Sequence, residues 1–324
     1  MRPPVDLVAC PACKGAVLDE GESLFCEGCD QRYALRDEIA ELRVPRDKST
    51  DTLTAFYARA PFPGFCAQDS LESLRARARR SEFAVALDRA ISGDARIVEL
   101  GCGTGQMSLF LATADRAVVA ADLTRASLEV GAAAARRFGV EGIAFVETDL
   151  RHAGLRDGAF DVVYSSGVLH HTPDPRASFS AMARLARPGG ILVLGLYNAW
   201  ARIPHRLRRA AGRFTGFRFI PFDPVLRGRA AEPERRKAWL RDQYMHPEEH
   251  RHTLGEVLRW FRENGIEFLR TYPDSRFGAE SLEGSELFTS AGDDWWFEGW
   301  IAQLTWMMTL AEEGGLWVTI GRKK

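Results

Sequence analysis

Four cysteines near the start of the chain have the spacing of metal ligands. Cys10 and Cys13 form one C-x-x-C pair, and Cys26 and Cys29 form another. A C-x-x-C turn places two thiolates on one side of a tight loop, so two such turns complete a tetrahedron. Because four protein ligands fill the coordination sphere of Zn²⁺, the pattern predicts a structural zinc site and not a catalytic one. A redox pair or four unliganded thiols are the alternatives.

A glycine-rich turn is the second feature with chemical meaning. In RIVELGCGTGQ, residues 96–106, an apolar strand pattern runs into Gly101, Gly103 and Gly105, and a helical pattern follows. Glycines let the backbone approach a ligand closely, and the helix N-terminus then faces that ligand. Dinucleotide-dependent oxidoreductases use a similar turn, so the glycines alone leave an NAD enzyme as an alternative.

Acidic residues at the ends of two further strand patterns favour a nucleoside ligand. AVVAAD ends at Asp122, about twenty residues after the glycines, where a carboxylate can bind both ribose hydroxyls of an adenosine. IAFVETDL presents Asp149 at the end of a third strand. The glycines and the two acids together predict one nucleoside site at the strand ends.

Two histidine clusters are candidates for acid–base chemistry. His170 and His171 follow the fourth strand pattern in SSGVLHHTPDP, and we expect one of them to act as a base or to contact the substrate. A loop histidine that orders the pocket or caps the next helix is the alternative. In HPEEHRHT, a helical conformation would place His246 beside His250. This stretch predicts acceptor binding, base chemistry, a second metal site or a solvated helix start.

Alternating strands and helices must position these residues. Strand patterns end at the glycine turn, at Asp122, at Asp149 and before the histidines, and LARPGGILVLGLYN adds a fifth strand. Helical patterns such as TRASLEVGAAAARRFG separate them. This alternation predicts an α/β fold built on a parallel sheet.

The order and spacing of ELGCGTG, Asp122, Asp149 and SSGVLHHTPDP over about residues 93–200 resemble the S-adenosylmethionine-dependent methyltransferases with a Rossmann-like fold, of type 11/12. The resemblance implies a seven-stranded sheet with helices on both faces, ending in an antiparallel pair made by IEFLRTY and GLWVTIGRK. It implies that the glycines pass under the methionine part of the cofactor, that Asp122 holds the ribose and that Asp149 flanks the adenine. The expected cofactor-binding residues are Tyr57, Glu99, Gly101, Cys102, Gly103, Gly105, Gln106, Asp122, Leu123, Asp149, Leu150 and Ser165.

Methyl transfer from a sulfonium is an in-line displacement. An enzyme supplies alignment, desolvation and, when the nucleophile is protonated, a base. The catalytic candidates are therefore His170, His171 and His246.

The front of the chain, about residues 6–45, resembles the small zinc-ribbon subunits and domains that accompany several RNA and protein methyltransferases. It is also similar to the zinc ribbon of certain bacterial ribosomal-RNA guanine methyltransferases. The matching residues are the two C-x-x-C pairs with Tyr33, Ile39 and Leu42. We predict three parts: a zinc ribbon over 1–46, a linker with cofactor-lid helices over 47–92, and a methyltransferase domain over 93–324 with substrate-side insertions at about 198–250 and 274–313.

Charge is distributed unevenly along the 324 residues. The formal net charge is −1, yet residues 202–241 carry eleven Arg and one Lys against three acids, a net charge of about +9. This excess predicts a lid around a small acceptor or a surface for RNA phosphates, with a solvated charged helix as the alternative. A separate apolar stripe near the C-terminus has helical spacing: Trp296, Trp300, Leu304, Met307 and Met308. We expect it to pack in the core or in a homodimer interface rather than to form an aromatic cage for a substrate.

Taken together, these features favour a cytoplasmic methyltransferase that acts on a small-molecule acceptor. No run of about 18 apolar residues occurs and the N-terminus lacks signal-peptide features, so no membrane partner is expected. An RNA methyltransferase is the alternative, based on the ribbon and the arginines, although the strand-4 loop lacks an N/D-P-P-Y/F motif. A non-catalytic cofactor-binding module is a third hypothesis.

Overall fold

The structure is a computed structural model, and it describes residues 2–45, 51, 54–55, 57–58, 61–112, 115–228, 232–246, 248–275, 287–290, 296–310 and 314–324. Strands and helices alternate over the central part of the chain, as the sequence predicts. The strands are β1 (Leu18–Asp19), β2 (Ser23–Cys26), β3 (Gln31–Arg36), β4 (Ile39–Glu41), β5 (Arg96–Leu100), β6 (Ala117–Asp122), β7 (Ile143–Glu147), β8 (Phe160–Ser166), β9 (Ala186–Tyr197), β10 (Ile266–Tyr272) and β11 (Leu316–Lys323).

Two helices have termini with typical capping residues. The helix Arg125–Phe138 is followed by a C-cap at Gly139, which has a positive φ of 64°, and the helix Pro175–Leu185 begins with a proline after an N-cap at Asp174. The helices with assigned bounds are α1 (Leu71–Ala78), α2 (Glu82–Ala90), α3 (Gln106–Leu111), α4 (Arg125–Phe138), α5 (Pro175–Leu185), α6 (Ile203–Phe214), α7 (Pro224–Gly228), α8 (Pro233–Met245), α9 (Leu254–Glu263) and α10 (Trp296–Thr309).

The described strands form one sheet in the order β1-β2-β3-β4-β7-β6-β5-β8-β9-β11-β10. Strands β7, β6, β5, β8 and β9 are parallel, and β11 pairs antiparallel with both β9 and β10. The predicted antiparallel pair of the last two strands is confirmed. The strand order reverses between β5 and β8, and in open α/β sheets ligands bind at the carboxyl ends of the strands beside such a reversal.

Two buried apolar clusters cover the two faces of the sheet. Ile97 and Val98 are neighbours on β5, yet they belong to different clusters because successive side chains of a strand point to opposite faces. The same alternation separates Val118 from Val119 on β6. Helices therefore pack on both faces, as expected for this fold class.

The N-terminal strands extend the central sheet. Strand β4 pairs in parallel with β7, with Ala40 opposite Val146, and the Arg43 guanidinium lies 2.9 Å from the carboxylate of buried Glu147. Leu42 shares an apolar cluster with Val146. The segment containing the cysteines is thus joined to the sheet by backbone hydrogen bonds and by a common core.

One expectation about local structure is wrong. The described residues of HPEEHRHT, 246 and 248–253, are not helical, because α8 ends at Met245 and α9 begins only at Leu254; Pro247 lies outside the described residues. The stripe on α10 is helical, with Leu304 exposed and Met307 half-buried, so its core or homodimer packing stays a prediction. The side chains of the other stripe residues, Trp296, Trp300 and Met308, lie outside the described part. In the described parts of the chain, no helix is long and apolar enough to cross a membrane.

Candidate active site

The four cysteines converge on one point. The Sγ atoms of Cys10 and Cys29 lie 3.5 Å apart, those of Cys13 and Cys26 lie 3.4 Å apart, and all four lie within 4.8 Å of one another. Zn–S bonds of about 2.3 Å in a tetrahedron place sulfur atoms about 3.8 Å apart. The four thiols therefore have the geometry for one tetrahedral ion. Among the described residues no other group of three or more ligand side chains converges, so the second metal site has no support.

A cavity of about 670 Å³ lies at the carboxyl ends of β5, β6, β7 and β8. It extends from the glycine turn past β8 to Tyr197 and to three residues of α8, namely Trp239, Asp242 and Gln243. Predicted residues that line it are Tyr57, Glu99, Gly101, Cys102, Gly103, Gln106, Asp122, Leu123, Asp149, Leu150 and His171. The sheet thus brings together strand ends that lie more than sixty residues apart in the chain, from Leu100 to Ser166, as the order reversal predicts.

The glycine turn is sterically restricted to glycine. Gly101 and Gly103 have φ values of 70° and 55°, which side chains rarely adopt. A Cβ atom on Gly101 would lie 2.4 Å from Val168, and one on Gly103 would lie 2.3 Å from the Phe62 carbonyl oxygen. Gly105 is the N-cap residue of α3 and lies next to the lining residues rather than among them.

Two buried carboxylates lie at this end of the cavity. Glu99 accepts hydrogen bonds from the backbone N–H (2.8 Å) and the hydroxyl of Ser108, and burial raises its pKa to about 7. Asp122 accepts from the N–H groups of Gly103 and Thr124, each at 2.8 Å, and burial raises its pKa to about 6. No described cation pairs with either carboxylate. Their unused lone pairs can therefore accept hydroxyl and ammonium donors from a ligand.

Asp149 begins a short 3₁₀ turn, Leu150–His152, after β7. Its Oδ1 atom accepts from the N–H of Arg151 at 2.9 Å, and its Oδ2 atom lies 2.7 Å from the Arg151 guanidinium. Leu150 lines the cavity beside it. This end of the cavity thus combines a carboxylate with an apolar side chain.

The segment Pro61–Phe65, with the sequence PFPGF, lies over the glycine turn. The carbonyl of Phe62 accepts from the N–H of Thr104 at 3.2 Å, and the carbonyl of Gly64 accepts from the Gln106 side chain at 2.7 Å. Phe62 and Pro63 line the cavity. Tyr57, earlier in the same region, donates from its hydroxyl to Oδ1 of Asp242 at 3.1 Å.

The three predicted histidines lie together, but they differ in access to the cavity. His171 lines it, whereas the buried His170 stacks its ring 3.8 Å from that of Tyr197. The buried His246 lies 3.7 Å from His171, ring centre to ring centre. Neither His170 nor His246 is among the lining residues, and Ser165 is buried with its hydroxyl donating to the Leu100 carbonyl at 2.8 Å.

The hydrogen bond of His171 identifies its tautomer. The Nδ1 atom lies 2.7 Å from the Glu248 carbonyl oxygen, which can only accept, so Nδ1 carries the hydrogen. Burial lowers the pKa of His171 to about 4, so the ring is neutral near pH 7. Its Nε2 atom, which has no hydrogen-bond partner among the described residues, therefore presents an unprotonated lone pair.

The other end of the cavity contains residues that the sequence did not reveal. Gln243 donates from Nε2 to the Tyr197 hydroxyl at 2.6 Å and to Oδ2 of Asp242 at 2.9 Å, and burial raises the pKa of Asp242. Trp239 and Leu316 add apolar surface. Tyr197 ends β9, so its place at a strand end could have identified it. For Asp242 and Gln243, the available signal was an acid and an amide within the arginine-rich helix α8.

Arg202 holds this end of the cavity together. It is fully buried, its guanidinium lies 3.7 Å above the Tyr197 ring, and it donates to Gln243 Oε1 at 2.7 Å and to the Gly314 carbonyl at 2.5 Å. Its Nη2 atom lies 2.9 Å from the carboxylate of Glu249. Within the described residues 248–253, Glu249 thus contacts this guanidinium and the Glu248 carbonyl contacts His171.

Comparison with known proteins agrees with this geometry. Residues 98–194 match the family model described as a methyltransferase domain. An uncharacterised protein of Synechococcus is 30% identical over 266 residues, covering 72% of this chain and 64% of that protein. Ubiquinone biosynthesis O-methyltransferase of Cronobacter sakazakii is 29% identical over 160 residues, covering 49% and 64%. Demethylmenaquinone methyltransferase of Clavibacter sepedonicus is 37% identical over 112 residues, covering 34% and 45%. The chain thus spans less than two thirds of the length of these relatives.

Solved structures give the same fold. Magnesium protoporphyrin IX methyltransferase of Synechocystis PCC 6803 with bound SAH superposes with a TM-score of 0.50 at 13% identity, covering 86% of this chain and 100% of that one. At this identity the likeness concerns the fold alone. The family match and the sheet order lead to one conclusion: residues 98–194 belong to a methyltransferase domain with a Rossmann-like fold.

Proposed function

We propose that the protein transfers a methyl group from S-adenosylmethionine to a small-molecule acceptor. The observation that carries the proposal is the single cavity, which joins the acids at the strand ends to a second polar group formed by His171, Tyr197, Asp242 and Gln243. The relatives named as ubiquinone and menaquinone methyltransferases support a small acceptor.

The end of the cavity at Glu99, Asp122 and Asp149, which we call the cofactor end, fits S-adenosylmethionine. Buried carboxylates without a described cation partner suit a ligand that brings a ribose diol and an ammonium group. We assign the ribose to Asp122, the methionine part to Glu99 and the glycine turn, and the adenine to Asp149 and Leu150. Bound S-adenosylmethionine supplies an electrophilic methyl group on a positively charged sulfur. Tyr57, Cys102, Gln106 and Leu123 complete this end as lining residues.

The end of the cavity at His171, Tyr197, Asp242 and Gln243, which we call the acceptor end, supports acceptor binding and proton removal. We assign His171 as the base, because its neutral ring presents an unprotonated Nε2 atom while Nδ1–H is fixed by the Glu248 carbonyl. Asp242, held by Tyr57 and Gln243, accepts a hydrogen bond from the acceptor. The apolar Trp239 and Leu316 exclude water, which strengthens both contacts. His170 and His246 position His171 through ring contacts.

For the four cysteines we propose a structural Zn²⁺ ion. Tetrahedral convergence of four thiols is the preferred geometry of this ion, and such a site has no open position for a substrate. Metal analysis of the purified protein should give about one zinc per chain. A folded, zinc-free protein would contradict this assignment.

The first test uses cofactor labelled on its methyl group. The purified protein is incubated with a small-metabolite extract and, separately, with total RNA. We expect label in a fraction that passes a small-pore filter. Label that stays with RNA and is released by nuclease would instead support the RNA methyltransferase alternative, in which the ribbon and the arginines hold the nucleic acid.

The base assignment is tested by His171→Gln. We expect kcat to fall about 100-fold or more, because a positioned base contributes at least that factor, while the cofactor dissociation constant stays unchanged. His250→Gln is the matched control, since His250 is partly exposed and lies outside the cavity lining. Equal losses in both variants would assign His171 a merely structural role.

A further inference from the structure

Helix α6 presents two different faces. His205, Arg209 and Gly212 point inward: His205 Nε2 lies 2.9 Å from the Gln243 carbonyl oxygen, and Arg209 donates to the His246 carbonyl at 2.9 Å. These residues recur at spacings of three and four, which place them on one side of a helix. The inner face of α6 therefore packs against the acceptor end of the cavity.

The outer face of α6 is apolar and exposed. Ile203, Leu207, Ala210 and Phe214 recur at spacings of four and three, so they form one stripe on the side opposite to the inner face. The exposed fraction is 68% for the side chain of Leu207 and 92% for that of Phe214. Residues of this size are normally buried, so a stripe of them in solvent marks an interaction surface.

The loop after α6 exposes two further large apolar side chains. Phe219 and Phe222 are 65% and 75% exposed, and they follow Phe214 within a few residues. We call the set Leu207, Phe214, Phe219 and Phe222 the apolar ridge. Four large apolar side chains exposed within one short segment differ from the singly scattered ones that most protein surfaces carry.

Arginines flank the apolar ridge. At 100° per residue, Arg206 and Arg213 lie on one side of the α6 stripe and Arg208 lies on the other. Arg218 adds a further exposed cation in the loop. The acid of this segment, Asp223, is buried and accepts from the Tyr244 hydroxyl at 2.5 Å, so it does not offset these charges at the surface.

We propose that the apolar ridge and its flanking arginines bind the surface of an anionic lipid bilayer. An apolar stripe bordered by cations is the pattern of helices that lie in the membrane interface: the apolar side chains enter the acyl boundary while the guanidinium groups meet lipid phosphates. Leu and Phe together, bordered by Arg, are the residues of interfacial helices, and Leu207 cannot stack on bases. Single-stranded RNA stacked on the phenylalanines is the competing outcome that the test below distinguishes. This mode of binding needs no spanning helix, so the sequence-based expectation of no membrane partner is revised only for peripheral contact.

Membrane docking would orient the cavity. The inner face of α6 reaches Gln243 and His246, so the acceptor end would lie next to the bilayer and a lipid-soluble acceptor could enter without crossing bulk water. This consequence for the acceptor rests on the proposed function. The docking surface itself does not.

Vesicle sedimentation tests the surface directly. The full chain is mixed with vesicles of phosphatidylcholine alone or with one third phosphatidylglycerol, at low and high salt. We expect binding to the anionic vesicles, weakened by salt. The double variant Leu207→Ser/Phe214→Ser should bind at least tenfold more weakly, and Arg206→Gln/Arg213→Gln should lose the preference for anionic lipid.

The matched control is Val5→Ser/Leu18→Ser, which removes two exposed apolar side chains of the N-terminal segment and should leave vesicle binding unchanged. Equal binding by the ridge variant, or none by the unaltered chain, would overturn the proposal. Two other results would also overturn it: a dimer seen by light scattering that the ridge variant abolishes, or RNA binding that the ridge variant abolishes. Cofactor binding is measured in parallel by calorimetry. A chain that binds vesicles but transfers no methyl group would overturn the proposed function alone.

Discussion

The two ends of the cavity are built in different ways. At the cofactor end, the three acids Glu99, Asp122 and Asp149 lie within two residues of a strand end, and each accepts from a backbone N–H group nearby in the chain, as Asp122 does from Thr124. At the acceptor end, Arg202 joins Tyr197, Gln243, Glu249 and the Gly314 carbonyl, whose positions span more than a hundred residues. The first end is therefore specified by local sequence, whereas the second exists only after long-range packing.

The largest expected effect comes from the acceptor end. Arg202→Met should lower the free energy of unfolding by about 3–5 kcal/mol, because it removes the nearer of the two arginines that pair with the Glu249 carboxylate, whose side chain is only 7% exposed, and leaves Arg209 at 3.5 Å. Denaturant unfolding provides the measurement, and Arg206→Gln, on the exposed side of α6, provides the control. Similar losses in the two variants would mean that the buried network does not hold this end together.

At the cofactor end, Asp122→Asn should weaken cofactor binding about 100-fold, or about 2.7 kcal/mol, because a charged acceptor for the ribose hydroxyls is lost. It should destabilise the fold less than Arg202→Met does, because only one of the two backbone N–H groups that Asp122 accepts from loses its acceptor. Calorimetry with S-adenosylmethionine measures the effect against Asp115→Asn, an exposed acid outside the cavity. Unchanged affinity would refute the assignment of this end to the cofactor.

The pH dependence should also distinguish the two ends. Burial raises the pKa of Asp122 to about 6 and that of Glu99 to about 7, so both lose charge as the pH falls from 8 to 5. Cofactor affinity should therefore decrease over this range. Because the folded-state pKa values exceed the unfolded ones, these carboxylates favour folding at low pH, and that contribution is lost as the pH rises through 6–7. Affinity that does not vary with pH, measured by calorimetry, would contradict this.

The smallest effect is expected from the N-terminal segment, which supports the cofactor end from outside. Lys14 donates from Nζ to the Ala153 carbonyl at 2.7 Å, just beyond the turn that holds Asp149 and Leu150. Lys14→Met should weaken cofactor binding by about threefold, close to the contribution of one surface hydrogen bond. Arg2→Gln, which breaks an exposed ion pair with Asp19, should have no effect in the same calorimetric titration.

The contact of the N-terminal segment with the sheet could not be predicted from the sequence. The ribbon was identified from its cysteines, but nothing in residues 6–45 indicated that β4 would pair with β7. Backbone pairing at a sheet edge depends on which edge is free, and side-chain pattern does not encode that. The same limit applied to HPEEHRHT, whose pattern suggested a helix although Glu249 pairs with Arg202 and the Glu248 carbonyl pairs with His171.

The sequence by itself determined the methyltransferase class, the cysteine cluster and the acids at the strand ends, because strand periodicity and residues at strand ends are local properties of the chain. Of the three predicted histidines, His171 was distinguished only by the tertiary structure, since access to a cavity depends on what packs around each ring. Tertiary structure also decided that Asp242 and Gln243 line the cavity, that Arg202 is buried and that the apolar ridge is exposed. These features depend on contacts between residues far apart in the chain, and such contacts leave no periodic signal in the sequence.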